Sequence, residues 1–191
     1  MNKQTTKWQL ATALKDLMQT TALDHITIDM LTKKAKLTRN TFYYHFEDIY
    51  ALLAWIYQQE IVQQAQAYTN INTWQTVYRL ILDYIETNQK FCLESFHSIG
   101  RDLLENLLYE VSSDMVQRVI IDVEPNTPAE LQKAISNFYG WALTMQVIQW
   151  LRNNLTESKD ALIRRAEIML NGTIENAIKN GRQSYFFGQS H

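Results

Sequence analysis

Apolar side chains recur every three or four residues along most of the chain, and this spacing predicts α-helices rather than strands. Only two prolines and five glycines interrupt the 191 residues, which favours long helices. The breaks between periodic segments predict an all-α fold of about nine helices. We expect an N-terminal three-helix head over residues 1–47, followed by a helical body over residues 48–191.

The most informative stretch, residues 24–46, predicts two short helices joined by a tight turn. Thr27 precedes the first helix and Thr38 precedes the second. A threonine hydroxyl caps a helix by accepting an otherwise unpaired backbone amide hydrogen. Phe42 and Phe46 stand four residues apart and are expected to anchor the second helix, which is too short to be stable alone. This pattern is typical of a helix–turn–helix.

The second short helix carries a set of polar and aromatic side chains that are expected to face solvent: Arg39, Asn40, Thr41, Tyr43, Tyr44 and His45. A short helix covered with hydrogen-bonding groups suits the major groove of DNA. Arg39 and Asn40 are the predicted base readers, because arginine bonds guanine bidentately and asparagine bonds adenine. Thr41 is placed for a thymine methyl group. The last three side chains suit phosphate contacts or packing between helices, and the residues alone leave both readings open.

Charge is distributed unevenly along the chain. Residues 1–50 hold seven Lys/Arg against five Asp/Glu, whereas the remainder holds eleven against fifteen, for a net charge of −2. A mildly basic head on an acidic body fits DNA contact at one end only. Thr27, Lys33, Lys36 and Thr38 complete the predicted DNA contacts, the threonines through helix N-termini and the lysines through charge.

The run LTKKAKLTRNTFYYHFEDIYALL resembles the helix–turn–helix of TetR/AcrR-type transcriptional regulators. The ending TFYYHF carries most of the resemblance, together with Ala35 and Thr38 before it. The resemblance implies a homodimer that binds double-stranded DNA at a palindromic operator. A cytoplasmic protein is expected separately, because the N-terminus shows no apolar signal region. The resemblance also implies a body that responds to a small-molecule inducer or to a protein coactivator. A ligand-responsive repressor is the predicted function, with an activator controlled by a coactivator as the alternative.

Two positions depart from the family pattern. Lys36 stands where glycine is usual, and a non-glycine residue with positive φ costs about 1 kcal/mol. Glu47, Asp48 and Ile49 stand where a lysine is usual at the start of the next helix. With Asp29, these acidic residues keep a second class of protein open, a helical interaction module whose head does not bind DNA.

The C-terminal run FYGWALTMQVIQWLRNNLTES resembles the body of Gram-positive regulators related to the dihydroxyacetone-kinase operon activator. A helix expected from Thr127 to about Asn153 is apolar nearly all round, so it needs partners on two sides. The family pairs its last two helices with their copies in a dimer. The predicted interface residues are Phe138, Ala142, Trp150, Leu162, Ala166, Met169 and Thr173.

The body also holds aromatic and amphipathic side chains that suit an apolar ligand, or that simply form core and interface. These predicted ligand-binding residues are Trp55, Phe91, Phe96, His97, Tyr139, Trp141 and Met145. The sequence contains no glycine-rich phosphate loop, nucleophile elbow or zinc-protease motif, so an enzyme, a catalytic residue and a cofactor are not expected. The four scattered histidines and the single cysteine, Cys92, argue against a metal site. No apolar run is long enough to span a membrane.

Overall fold

The computed structural model describes residues 3–67 and 74–183, and every regular element within those residues is helical, as the sequence predicts. The helices are α1 Lys3–Leu17, α2 Ile28–Ala35, α3 Arg39–His45, α4 Ile49–Tyr57, α5 Gln63–Ala67, α6 Trp74–Thr87, α7 Gln89–Phe96, α8 Arg101–Val123, α9 Ala129–Arg152, α10 Lys159–Leu170 and α11 Thr173–Gln183. A single 3₁₀ turn, Leu23–His25, precedes α2.

Helices α4 and α5 are separated by a π-helical turn, Gln58–Val62, where the periodicity predicts one uninterrupted helix. No glycine or proline lies in this turn, so the sequence carries no local signal for it. A π turn widens the helix by one residue and so shifts the register of the side chains that follow.

The apolar spacing predicts one last helix from Ser158 to about Lys179, but the structure divides this segment into α10 and α11. The division falls at Asn171 and Gly172, and Gly172 adopts φ +71°, a conformation that ends helices. Among the small residues of the predicted helix, Gly172 would be expected to allow close helix approach, whereas it is the break itself.

The run Thr127-Pro128-Ala129-Glu130 predicts a helix capped by Thr127, but Thr127 does not cap α9. Pro128 occupies the cap position and provides no side-chain hydrogen bond, while the Thr127 hydroxyl donates to the Glu124 carbonyl at 2.8 Å. Thr127 therefore stabilises the turn between α8 and α9 rather than the first turn of α9.

The chain forms two compact units, each with its own apolar core. The first comprises residues 1–64 and 85–107, and the second comprises residues 65–84 and 108–191. These units are defined by packing, so the functional division into residues 1–47 and 48–191 stays a prediction.

The core of the first unit gathers side chains from α1 to α4 and from α7. Its fully buried members include Leu10, Leu14, Met18, Leu31, Phe42, Leu52, Leu53, Ile56, Phe91 and Cys92. This core holds α2 and α3 in place, because each of the two short helices inserts one large apolar side chain into it.

The core of the second unit is built mainly from α8, α9 and α10. Its members include Leu108, Val116, Ile120, Leu143, Ile148, Trp150, Leu151, Leu162 and Ala166. Gly140 allows α9 to lie close to α8, since a Cβ at this position would be 3.0 Å from the Ser113 Cα.

Two predicted features, the polar break at residues 69–73 and a loose tail with aromatic residues 185–187, lie outside the described residues. Within the described ranges, no helix combines the length and the apolar character needed to cross a membrane.

Candidate nucleic-acid interface

Helix α2 and the turn after it are held by local hydrogen bonds that the sequence predicted. The Thr27 hydroxyl accepts from the Met30 amide at 3.2 Å and so caps α2. Lys36 adopts the left-handed conformation with φ 55°, and the Leu37 amide donates to the Thr32 carbonyl at 2.9 Å. This arrangement is a Schellman motif, in which glycine is usual at the position that Lys36 occupies.

Helix α3 is capped at its start and anchored on one side. The Thr38 hydroxyl accepts from the Thr41 amide at 3.2 Å. Phe42 is 0% exposed and Phe46 is 6% exposed, with their ring centroids 6.1 Å apart. The Trp55 ring packs 5.9 Å from Phe46. These contacts fix the inner face of α3 and therefore the direction of its outer face.

The outer face of α3 presents the side chains predicted to touch DNA. Tyr43 is 51% exposed and Tyr44 is 65% exposed, so neither tyrosine is held between helices. Arg39 and Asn40 are exposed as well, whereas Thr41 and His45 are half-buried. The described outer face is therefore composed of hydrogen-bonding groups.

Arg39 is engaged by an acidic side chain from α2. Its Nη1 atom lies 3.2 Å from both carboxylate oxygens of Asp29. The sequence places Asp29 as an acidic residue beside the groove, and the structure pairs it with the predicted base reader. Sequence reasoning missed this pairing because the two residues belong to different helices.

The lysines near α2 and α3 are exposed and add positive charge to this surface. Lys33 and Lys36, the two predicted phosphate contacts, both lie open to solvent, as does Lys34. Lys34 pairs with Asp16 of α1 at 3.3 Å. The Asp48 carboxylate accepts from the Ala51 amide at 2.7 Å, so this acidic residue serves as the cap of α4.

Asp24, which the sequence analysis did not single out, ties the loop before α2 to other parts of the first unit. Its carboxylate accepts from the Tyr50 hydroxyl at 2.9 Å and from the Ile99 amide at 3.3 Å. Burial and the adjacent Asp24 raise the pKa of Tyr50 to about 12, so the phenol keeps its proton and donates. Gly100 leaves room for the Tyr50 ring, since a Cβ at position 100 would lie 2.8 Å from that ring.

The predicted dimer-interface residues divide into two groups. Trp150, Leu162 and Ala166 are at most 3% exposed and pack the core of the second unit, so they offer no surface to another copy. Phe138 and Met169 are 71% and 61% exposed, Ala142 is exposed, and Thr173 is half-buried. Helical periodicity did not separate these groups, because α9 is apolar on more than one side.

The predicted ligand-binding residues are spread over three helices and both compact units. In the first unit, Phe91 and Phe96 are buried, Trp55 is half-buried against the Trp8 ring at 5.0 Å, and His97 is exposed. In the second, Trp141 stacks on Tyr109 at 4.4 Å, Met145 is 42% exposed, and Tyr139 is half-buried.

The second unit holds a surface depression of about 440 Å³ beside the α10–α11 break, lined by Trp74, Glu167, Asn171 and Glu175 among others. None of the seven predicted ligand-binding residues lines it. The ligand site therefore stays a prediction.

Two capped short helices with a polar second helix define a helix–turn–helix of the kind used by DNA-binding regulators. A family model described as "Transcriptional regulator C-terminal region", of TetR type, matches residues 72–172. The chain belongs to the TetR family of transcriptional regulators.

Two relatives refine this assignment. The chain is 33% identical over 115 residues to the HTH-type dhaKLM operon transcriptional activator DhaS of Lactococcus lactis subsp. lactis (strain IL1403). That match covers 60% of this chain and 60% of the relative, which is less than two thirds of its length. A solved structure, the dihydroxyacetone kinase operon activator DhaS, aligns with a TM-score of 0.66 and 25% identity, over 92% of this chain and 97% of that one.

Proposed function

We propose that this regulator binds double-stranded DNA sequence-specifically as a homodimer, with α3 of each copy in the major groove. The observation that carries the proposal is the two-sided character of α3. Phe42 is fully buried on one side, while Arg39, Asn40 and Tyr43 are open on the other. A helix whose inner face is fixed presents its donors in a defined direction, which base recognition requires.

The homodimer is proposed to form through α9 and α10. These helices expose Phe138, Met145, Ile168 and Met169 at 71%, 42%, 66% and 61%. Large exposed apolar side chains on two helices of the same unit are typical of a protein interface. A twofold dimer carries two copies of α3, so the operator is an imperfect palindrome with half-sites about 10 base pairs apart or slightly more.

The sign of regulation is proposed to be activation. The sequence predicted a ligand-responsive repressor, but both relatives are named as operon activators. An effector, either a small-molecule inducer or a protein coactivator, would act by preferring one conformation of the dimer. A reporter gene placed downstream of the operator distinguishes the two signs, since a repressor would lower expression below the operator-only level.

DNA binding is tested with the purified full chain and a duplex library randomised over about 25 base pairs, which accommodates two half-sites. We expect recovery of a palindromic duplex that is bound tightly and with affinity that falls steeply with salt. Arg39→Ala should weaken binding to that duplex by about tenfold or more. Arg118→Ala, which removes the same charge from α8, should leave binding unchanged. Weak binding to every duplex, equal in wild type and Arg39→Ala, would instead favour the interaction module.

Dimerisation is tested by light scattering on the wild type and two charged variants. Phe138→Lys should shift the protein towards a monomer and weaken operator binding, because it places a charge in the proposed interface. Ile121→Lys provides the control, since Ile121 is 44% exposed on α8, outside the proposed face. If the dimer dissociates equally in both variants, or in neither of them, this interface is ruled out.

A further inference from the structure

We propose that Asp29 is a specificity-determining residue, whose carboxylate holds the Arg39 guanidinium in the direction needed to read a base. The inference rests on the proposed DNA-binding function. Asp29 lies in the first turn of α2, and Arg39 is the first residue of α3. The turn between the helices brings the two side chains together across ten positions of sequence, with Nη1 at 3.2 Å from each carboxylate oxygen.

The Asp29–Arg39 ion pair adds little to the stability of the fold. The Arg39 and Asp29 side chains are 58% and 67% exposed, and ion pairs this exposed contribute little to stability. The two helices are already fixed by the Thr27 and Thr38 caps and by the buried Phe42. The pair instead restricts the rotamers of the arginine, which is a long and flexible side chain.

The geometry leaves the arginine able to bind a base. Asp29 engages one of the three guanidinium nitrogens, and a guanidinium carries five N–H donors in a planar fork. The Arg39 side chain is 58% exposed, so the rest of the fork can reach a base. Restraint by Asp29 orients the fork, and arginine bonded to guanine is the commonest specific base contact.

The position of the carboxylate also bears on non-specific binding. A negative charge beside the groove repels phosphates, and phosphate attraction supplies nearly all non-specific affinity. Asp29 therefore lowers affinity for every duplex while improving recognition of one base pair. Only the second effect raises the ratio of specific to non-specific binding, which is the quantity that a regulator needs.

A different role for the same contact makes the opposite prediction. If Asp29 were a latch that withholds Arg39 from DNA, removing its charge would free the arginine and sharpen recognition of its base pair. If Asp29 served only to favour the N-terminus of α2, its removal would change affinity for all duplexes by the same factor. Discrimination at one base pair, rather than affinity, separates the three roles.

The experiment uses the full chain and the duplex selected from the randomised library, with each base pair of a half-site substituted in turn. The position at which Arg39→Ala loses preference defines the base pair that Arg39 reads. Asp29→Asn should reduce discrimination at that position by about fivefold or more and leave the other positions unchanged. It should also tighten binding to an unrelated duplex. In an Arg39→Ala background, Asp29→Asn should have no further effect on discrimination.

Asp16→Asn is the matched control, because Asp16 pairs with Lys34 of the same unit at 3.3 Å and its charge is equal. It should tighten binding to all duplexes without changing discrimination. If the wild type binds its operator specifically and Asp29→Asn leaves discrimination unchanged or increases it, the inference about Asp29 is overturned. The proposed function then still stands. Absence of specific binding by the wild type would overturn the proposed function as well.

Discussion

The α3 surface and the α9–α10 surface both expose large side chains, but their chemistry differs. On α3 the exposed groups, such as Tyr43 and Tyr44, end in hydroxyls. On α9 and α10 the exposed groups include Phe138, Ile168 and Met169, which carry no hydrogen-bonding group. A surface that ends in donors and acceptors suits phosphates and base edges, whereas an apolar surface suits burial against another protein.

The two regions also differ in what lies beneath the surface. Helix α3 has seven residues and one line of anchors, so its buried side is determined as soon as its helical register is known. Helix α9 has twenty-four residues with apolar side chains on several sides, so its own sequence leaves the buried side open. The exposure of an apolar residue is therefore predictable from sequence where only one face of its helix is apolar.

The largest expected effect contrasts two phenylalanines, one from each region. Phe42→Ala should destabilise the protein by about 3–5 kcal/mol, because the side chain is fully buried and its removal leaves a cavity. Phe138→Ala should change the free energy of unfolding of the monomer by about 0.5 kcal/mol or less, because the side chain is 71% exposed. Urea unfolding at low protein concentration measures both. Equal losses would mean that the two surfaces are not distinct.

The next contrast uses two residues that periodicity placed on the same predicted interface. Leu162→Ala should cost about 2–5 kcal/mol, since Leu162 is 1% exposed in the core of the second unit. Met169→Ala should leave the unfolding of the monomer nearly unchanged and should lower dimer affinity. Thermal unfolding at several protein concentrations separates these outcomes, because only dimerisation makes the midpoint depend on concentration. If the thermal midpoint becomes concentration-dependent only in Leu162→Ala, then Leu162 and not Met169 belongs to the dimer interface.

The smallest expected effect is at the turn that orients α3. Lys36→Gly should raise the free energy of unfolding by about 1 kcal/mol or less, because Lys36 adopts φ 55° and glycine adopts this conformation without strain. Lys36→Ala removes the same charge but retains the strain, so it should not stabilise. Both variants should reduce the salt dependence of DNA binding by about one phosphate contact. If both Lys36 variants are more stable than the wild type, the cause is loss of the lysine charge and not relief of backbone strain.

Much of the helix–turn–helix could be predicted from the sequence because its determinants are local. The Thr27 and Thr38 caps each bond an amide three residues ahead, and the Lys36 turn closes over five residues. The division of the last predicted helix at Gly172 was missed, although Asn-Gly is itself a turn signal. The π turn at Gln58–Val62 was missed because no residue there disfavours a regular helix.

What the sequence determined by itself is the all-helical fold, the caps and turn of the helix–turn–helix, and the polar outer face of α3. Hydrogen bonds over three to five residues and the spacing of two phenylalanines suffice for these features. Only the tertiary structure decided that Trp150, Leu162 and Ala166 are core, that Asp29 holds Arg39, and that Asp24 accepts from Ile99. These contacts join residues of different elements, and their partners are selected by packing, which periodicity along one helix does not specify.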